Sequence, residues 1–66
     1  MIELDAFFMS NDSADQTIYQ IVYHNDFDMY VLESYDDEAF LFVVYEKELM
    51  TKYHRVYYSQ SEGWER

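Results

Sequence analysis

The sequence contains no Pro and a single Gly, Gly63, in 66 residues. The chain must therefore reverse direction almost without the two residues that most often shape turns. Asn, Asp and Ser have to take over, because their side chains bond neighbouring backbone groups and Asn and Asp tolerate left-handed dihedrals. Such residues cluster at 10–15, 25–28 and 36–38. The segments between the clusters are rich in β-branched and aromatic residues, the signature of strands. Turns at this spacing predict a mainly β or α+β fold in one small domain covering residues 1–66. The expected architecture is an antiparallel meander sheet of four or five strands, with room for one helix packed on it.

Individual segments support that reading. Residues 2–9 begin as an alternation of Ile2, Leu4 and Ala6 with Glu3 and Asp5. Residues 17–24, 27–35 and 52–60 mix β-branched, aromatic and polar residues. The uninterrupted apolar run 39–45 is the pattern of a central strand buried on both faces. Two segments carry a competing helical signal. Ala14, Ile18, Ile21 and Val22 fall at helical spacing behind Ser10 or Ser13 as a cap. Residues 36–52 open with three acids, which suit a helix N-terminus, but lack an amphipathic stripe. Residues 12–24 and 36–52 are therefore open to either helix or strand.

Charge narrows the function. Fourteen acids against four bases give a net charge of −10. Residues 1–46 hold eleven of the acids and no Lys or Arg, while Lys47, Lys52, Arg55 and Arg66 all fall in the last twenty positions. Such a field repels nucleic acid and anionic membranes and attracts a basic protein. Half the residues are hydrophobic, too many for a disordered acidic tail. The longest apolar run is far below the roughly 20 residues that cross a bilayer. The acidic N-terminus lacks the basic stretch of a signal peptide, and the chain has no Cys. The expected location is the cytoplasm, which for a phage-encoded protein is that of the host cell.

No constellation points to catalysis or to a bound metal or cofactor. One Gly cannot build a phosphate-cradling loop, and no Ser sits in a nucleophile elbow. His24, Asp26 and Asp28 share one face if extended, but they lack the loop Gly and bidentate Glu of a calcium hand. The acids recur as Glu3/Asp5, Asp26/Asp28, Asp36/Glu38 and Glu46/Glu48, each pair two residues apart. On a strand such pairs point the same way at roughly 6.6 Å, close to the spacing of successive phosphates, so the pattern predicts a phosphate-like ladder. Eight Tyr exceed what so small a core can bury with every hydroxyl satisfied, and outward Tyr suits an interface.

The expected function is that of a DNA mimic: an acidic inhibitor that occupies the nucleic-acid-binding site of a DNA-acting host protein. Partner-binding residues are expected at Asp26, Asp28, Glu33, Asp36, Asp37 and Glu38, with Tyr30 and Tyr35 as aromatic anchors. Small acidic proteins of this class are typical of phages and mobile elements, and disarm nucleases, restriction enzymes, CRISPR effectors or repair glycosylases. The tripeptide Glu33-Ser34-Tyr35 resembles the acidic-serine-apolar strand that uracil-DNA glycosylase inhibitors insert into their target. Two alternatives use the same surface differently. An immunity protein or antitoxin would neutralise a basic toxin, and a homo-oligomeric structural or adaptor protein, such as a homodimer, would bury its Tyr face against its own copy.

Overall fold

The computed structural model describes residues 2–37 and 40–66. Among these, six strands form one antiparallel sheet: β1 (Phe7–Ser10), β2 (Tyr19–His24), β3 (Met29–Ser34), β4 (Leu41–Tyr45), β5 (Tyr53–Ser59) and β6 (Gly63–Glu65). One helix, α1 (Glu46–Lys52), lies between β4 and β5. The strand order is β4-β3-β2-β1-β5-β6, so β1 to β4 form a meander and β5 returns to the far side of β1. The expected small antiparallel sheet with one helix is what the chain folds into. It has more strands than expected because residues 52–66 contain a hairpin, β5–β6, turned at Gly63 with φ 77°.

The connections explain how a chain without Pro turns. In the β1–β2 connection, Ser10 Oγ accepts the Asp12 N–H, Asp12 Oδ1 that of Ala14, and Asp15 Oδ1 that of Thr17. At the β2–β3 turn, Asn25 Oδ1 accepts the Phe27 and Met29 N–H groups at 2.8 and 3.3 Å. Asp28 then takes φ 61°, a left-handed conformation that Asp tolerates better than most residues.

The sheet has two apolar faces. Phe8, Tyr19, Ile21, Tyr30, Leu32 and Val44 line the inner face and meet Ala6 and Leu49 in one core. Leu49 is the buried residue of α1, a helix too short to be stable without such packing. Its first turn carries Glu46 and Glu48 and its last turn Lys52, matching the helix dipole. Three strands separate β4 from β5, about 19 Å if the sheet were flat. A seven-residue helix spans only about 10 Å. The sheet must therefore curl, bringing the end of β4 towards the start of β5 and Leu49 into the core.

The outer face carries a second cluster. Phe7 packs edge-on to Trp64 (4.7 Å between centroids) and Tyr35 (5.6 Å), and Trp64 meets Tyr35 and Tyr58. Val56, opposite Phe7 in the β1–β5 register, is buried there. A register shift between Ile21 and Tyr23 changes which face follows: Ile21 is in the core, yet Tyr23 pairs with Val31 and is exposed.

Two expectations need correction. The apolar run 39–45 does not form a central strand. Of its described residues, Phe40 precedes β4 and the rest form it; β4 is a sheet edge, and Leu41, Val43 and Tyr45 are 54, 50 and 60% exposed. Only Phe42 and Val44 face inward, so a run apolar at every position fills one face and leaves the other in water. The helical alternative for 36–52 is half realised, since the helix begins only at Glu46, after the strand.

Candidate protein-binding surface

Of the eight residues expected to bind a partner, the seven that the structure describes do not form one patch. Asp26 and Asp28 project from the β2–β3 turn, on either side of Phe27, which is 78% exposed. Asp36 and Asp37 are exposed in the β3–β4 connection, at the opposite end of the sheet. The six residues of β3 hold the two groups roughly 20 Å apart. Glu33 lies between them on the outer face, partly covered and opposite Gln20 and Leu41. Glu38 falls outside the described residues.

The phosphate-like ladder is not formed. Glu3/Asp5 precedes β1, Asp26/Asp28 occupies a turn, and Asp36 lies in a loop, so none of these has the strand geometry the spacing argument required. Glu46/Glu48 lies on α1, where residues two apart diverge by about 200° around the axis. Acids sit in the connections because those are the turn-forming segments of a chain without Pro. Most of the described acids therefore sit in the connections at the ends of the sheet, with Glu33 in β3 and Glu65 in β6 as the acids carried by strands.

Tyr30 is not an exposed anchor. It is 2% exposed in the core, where its hydroxyl accepts the Ile2 N–H and donates to Glu46 Oε1, both at 3.1 Å. Burial raises its pKa above the ordinary tyrosine value; the Ile2 bond opposes this and the Glu46 carboxylate adds to it. Tyr19 is likewise buried, donating to Asp15 Oδ2 at 2.9 Å. Burial first, then that bond, raises the pKa of Tyr19, while the Thr17 N–H foremost lowers that of Asp15. Tyr35 is 53% exposed, with its inner edge in the Phe7–Trp64 cluster. Tyr23, Tyr45, Tyr57 and Tyr58 are also exposed.

One end of the molecule combines acids with apolar surface. An open cleft of about 660 Å³ has Ile2, Phe27, Tyr45 and Met50 as its apolar walls, with Asp28, Glu46 and Lys47 at its rim. The Glu46 N–H donates to the Asp28 carbonyl at 2.8 Å, which locks the β2–β3 turn to the start of α1 and fixes the cleft. Chain position hid this site, because its walls come from three separate stretches of the chain, at residue 2, residues 27–28 and residues 45–50. The usable signal was Phe27, a large aromatic inside an acidic turn.

Two ion pairs neutralise acids among the described residues. Lys52 pairs with Glu48 at 3.6 Å and Arg55 pairs with Glu3. Among the described residues neither pair involves Asp26, Asp28, Glu33 or Asp36. His24, Asp26 and Asp28 do not gather into a cluster able to hold a metal, and no other such cluster occurs among the described residues. No helix there is long and apolar enough to cross a membrane.

The Glu33-Ser34-Tyr35 tripeptide ends β3, which is paired on both sides by β2 and β4, and Ser34 is 6% exposed. The tripeptide therefore ends an interior strand of the sheet and does not lie on either edge strand. Comparison with protein-family models, curated proteins and solved structures found no match to this chain.

Proposed function

We propose that the protein acts by binding rather than catalysis, as an acidic inhibitor that covers the nucleic-acid-binding surface of a basic, DNA-acting protein. One observation carries this reading: acids project from both ends of a small sheet while exposed aromatic and aliphatic side chains adjoin them. Carboxylates steer a basic partner and take the place of phosphates, and Phe27, Tyr45 and Tyr35 supply apolar contact area. The mimicry is one of charge distribution between two acidic ends, not of a regular phosphate ladder. A target of this kind works where the cell keeps its DNA, which for a phage-encoded inhibitor is the host cytoplasm.

The test begins with proteins captured on the immobilised chain at low salt and eluted by high salt. Their DNA gel shifts should be abolished by the free protein, and duplex DNA should displace them from the column. Replacing Asp26, Asp28, Asp36 and Asp37 by Asn should slow association and remove its salt dependence. A captured partner that still binds DNA when saturated with the protein refutes the reading.

A further inference from the structure

The two edges of the sheet are built differently. β6 is three residues long, begins with Gly63 and ends in Glu65, features that discourage pairing. β4 is five residues long, Leu-Phe-Val-Val-Tyr, with no charge, Gly or Pro and no break in its register with β3. Among the described residues β3 is the only strand paired with it, and the carbonyl of its last residue, Tyr45, caps α1. Its outward side chains, Leu41, Val43 and Tyr45, form a stripe half or more exposed along that edge. Within β4 itself there is none of the charge, Pro or bulge that commonly protects a natural edge strand.

The surroundings of β4 are acidic. Glu33 lies across from Leu41 in the register, Asp36 precedes the strand, and Asp28 and Glu46 flank Tyr45 at the cleft. Lys47 is the single base in residues 1–51. Pairing with a second copy would bring together two chains of net charge −10. It would also join only five residues a side, where stable interfaces use about 20–30. Opposite charge on the incoming strand removes the first difficulty. Contacts of the same partner with the acidic ends and the cleft remove the second.

We propose that the free edge of β4 receives an extended segment of the partner, apolar at alternate positions and carrying Lys or Arg at its ends, as an added antiparallel strand. Its backbone completes the unpaired groups of β4, its apolar side chains cover Leu41, Val43 and Tyr45, and a terminal base reaches Asp28 and Glu46. The inference rests on the acidic-inhibitor reading and specifies how such a partner docks.

The probe is a synthetic nine-residue peptide of alternating Val and Thr flanked on each side by two Lys, titrated into the full ¹⁵N-labelled chain. Binding tighter than about 1 mM is expected at low salt, with amide shifts across Leu41–Tyr45. Hydrogen exchange of the unpaired β4 amides should slow at least tenfold. Methylating the peptide's edge-facing backbone nitrogens, or replacing its Lys by Glu, should weaken binding at least tenfold. Val43→Lys should do the same without altering the spectrum elsewhere, and the methylated peptide controls for any misfolding of that variant.

Three outcomes overturn the inference: no binding near 1 mM, shifts confined to the acidic turns, or a concentration-dependent dimer formed through β4 in place of peptide binding. The parent reading is judged separately. If Val43→Lys still captures and inhibits a DNA-binding protein and the Asn variants do not, the strand site fails and the acidic inhibitor stands. If the peptide adds to β4 but captured partners keep their DNA, the strand site stands and the inhibitor reading fails.

Discussion

Replacing Leu49 by Ala tests whether α1 closes the curled sheet. Leu49 is fully buried, the single buried residue of the helix, and packs with Phe8, Tyr30 and Val44 in the core. Truncating a Leu at such a site removes the transfer free energy of its methyl and methylene groups and leaves a cavity, together about 3–5 kcal/mol. A domain of 66 residues has a total stability of roughly 3–10 kcal/mol. The substitution therefore takes away a large part of the whole. In a domain of this size about 4–8 °C is lost per kcal/mol, so the melting temperature should fall by at least about 12 °C. Urea unfolding followed by circular dichroism gives the free energy directly. Met50, the adjacent residue, is 63% exposed, and Met50→Ala should stay within about 0.5 kcal/mol of the parent. A loss below about 1 kcal/mol for Leu49→Ala would show that the helix does not plug the core, and the argument from helix length to sheet curvature would fall with it.

Tyr30→Phe removes two hydrogen bonds and should cost about 1–3 kcal/mol by urea unfolding while leaving partner affinity unchanged; a loss of affinity in a stably folded variant would restore Tyr30 as a contact residue. Asp15 has a folded-state pKa below its unfolded one, so its contribution is fully present above the unfolded value of about 3.9 and disappears as pH falls through the folded value. Asp15→Asn should thus be less stable than the parent at neutral pH, and the gap should close on acidification; a gap that widens below pH ~4 contradicts the assigned hydrogen bonds. Self-repulsion at a net charge of −10 should make the melting temperature rise with NaCl, because the screening length shrinks to about 3 Å at 1 M. A melting curve indifferent to salt would mean that the acids lie too far apart to oppose folding.

Local chemistry made the strands and turns legible. Asn25 and Asp15 were readable as turn formers because their bonds reach residues only two to four positions away. Sheet position was less accessible. The run that became β4 is apolar throughout, and nothing in it distinguishes an edge from a centre; that is settled by β5 returning to β1 and not to β4. Facing was hidden where the period-2 rule breaks, as at the register shift that turns Tyr23 outward.

The site residues divide along the same line. Acids in turns are exposed whatever the tertiary fold, so Asp26, Asp28, Asp36 and Asp37 were legible as surface charge. Their supposed ladder was not, because a spacing of two has a fixed geometry only on a strand, and turn-forming residues are those least suited to strands. A Tyr on a strand has no local mark of its direction. Tyr30 is drawn inward by an N–H 28 residues before it and a carboxylate 16 residues after it. Tyr35 stays at the surface against Phe7 and Trp64, both distant in sequence. Nearness along the chain to the acidic clusters selects Tyr30 and Tyr35. Mutagenesis should instead follow nearness in space, which selects Phe27, Tyr45 and Met50 around Asp28 and Glu46.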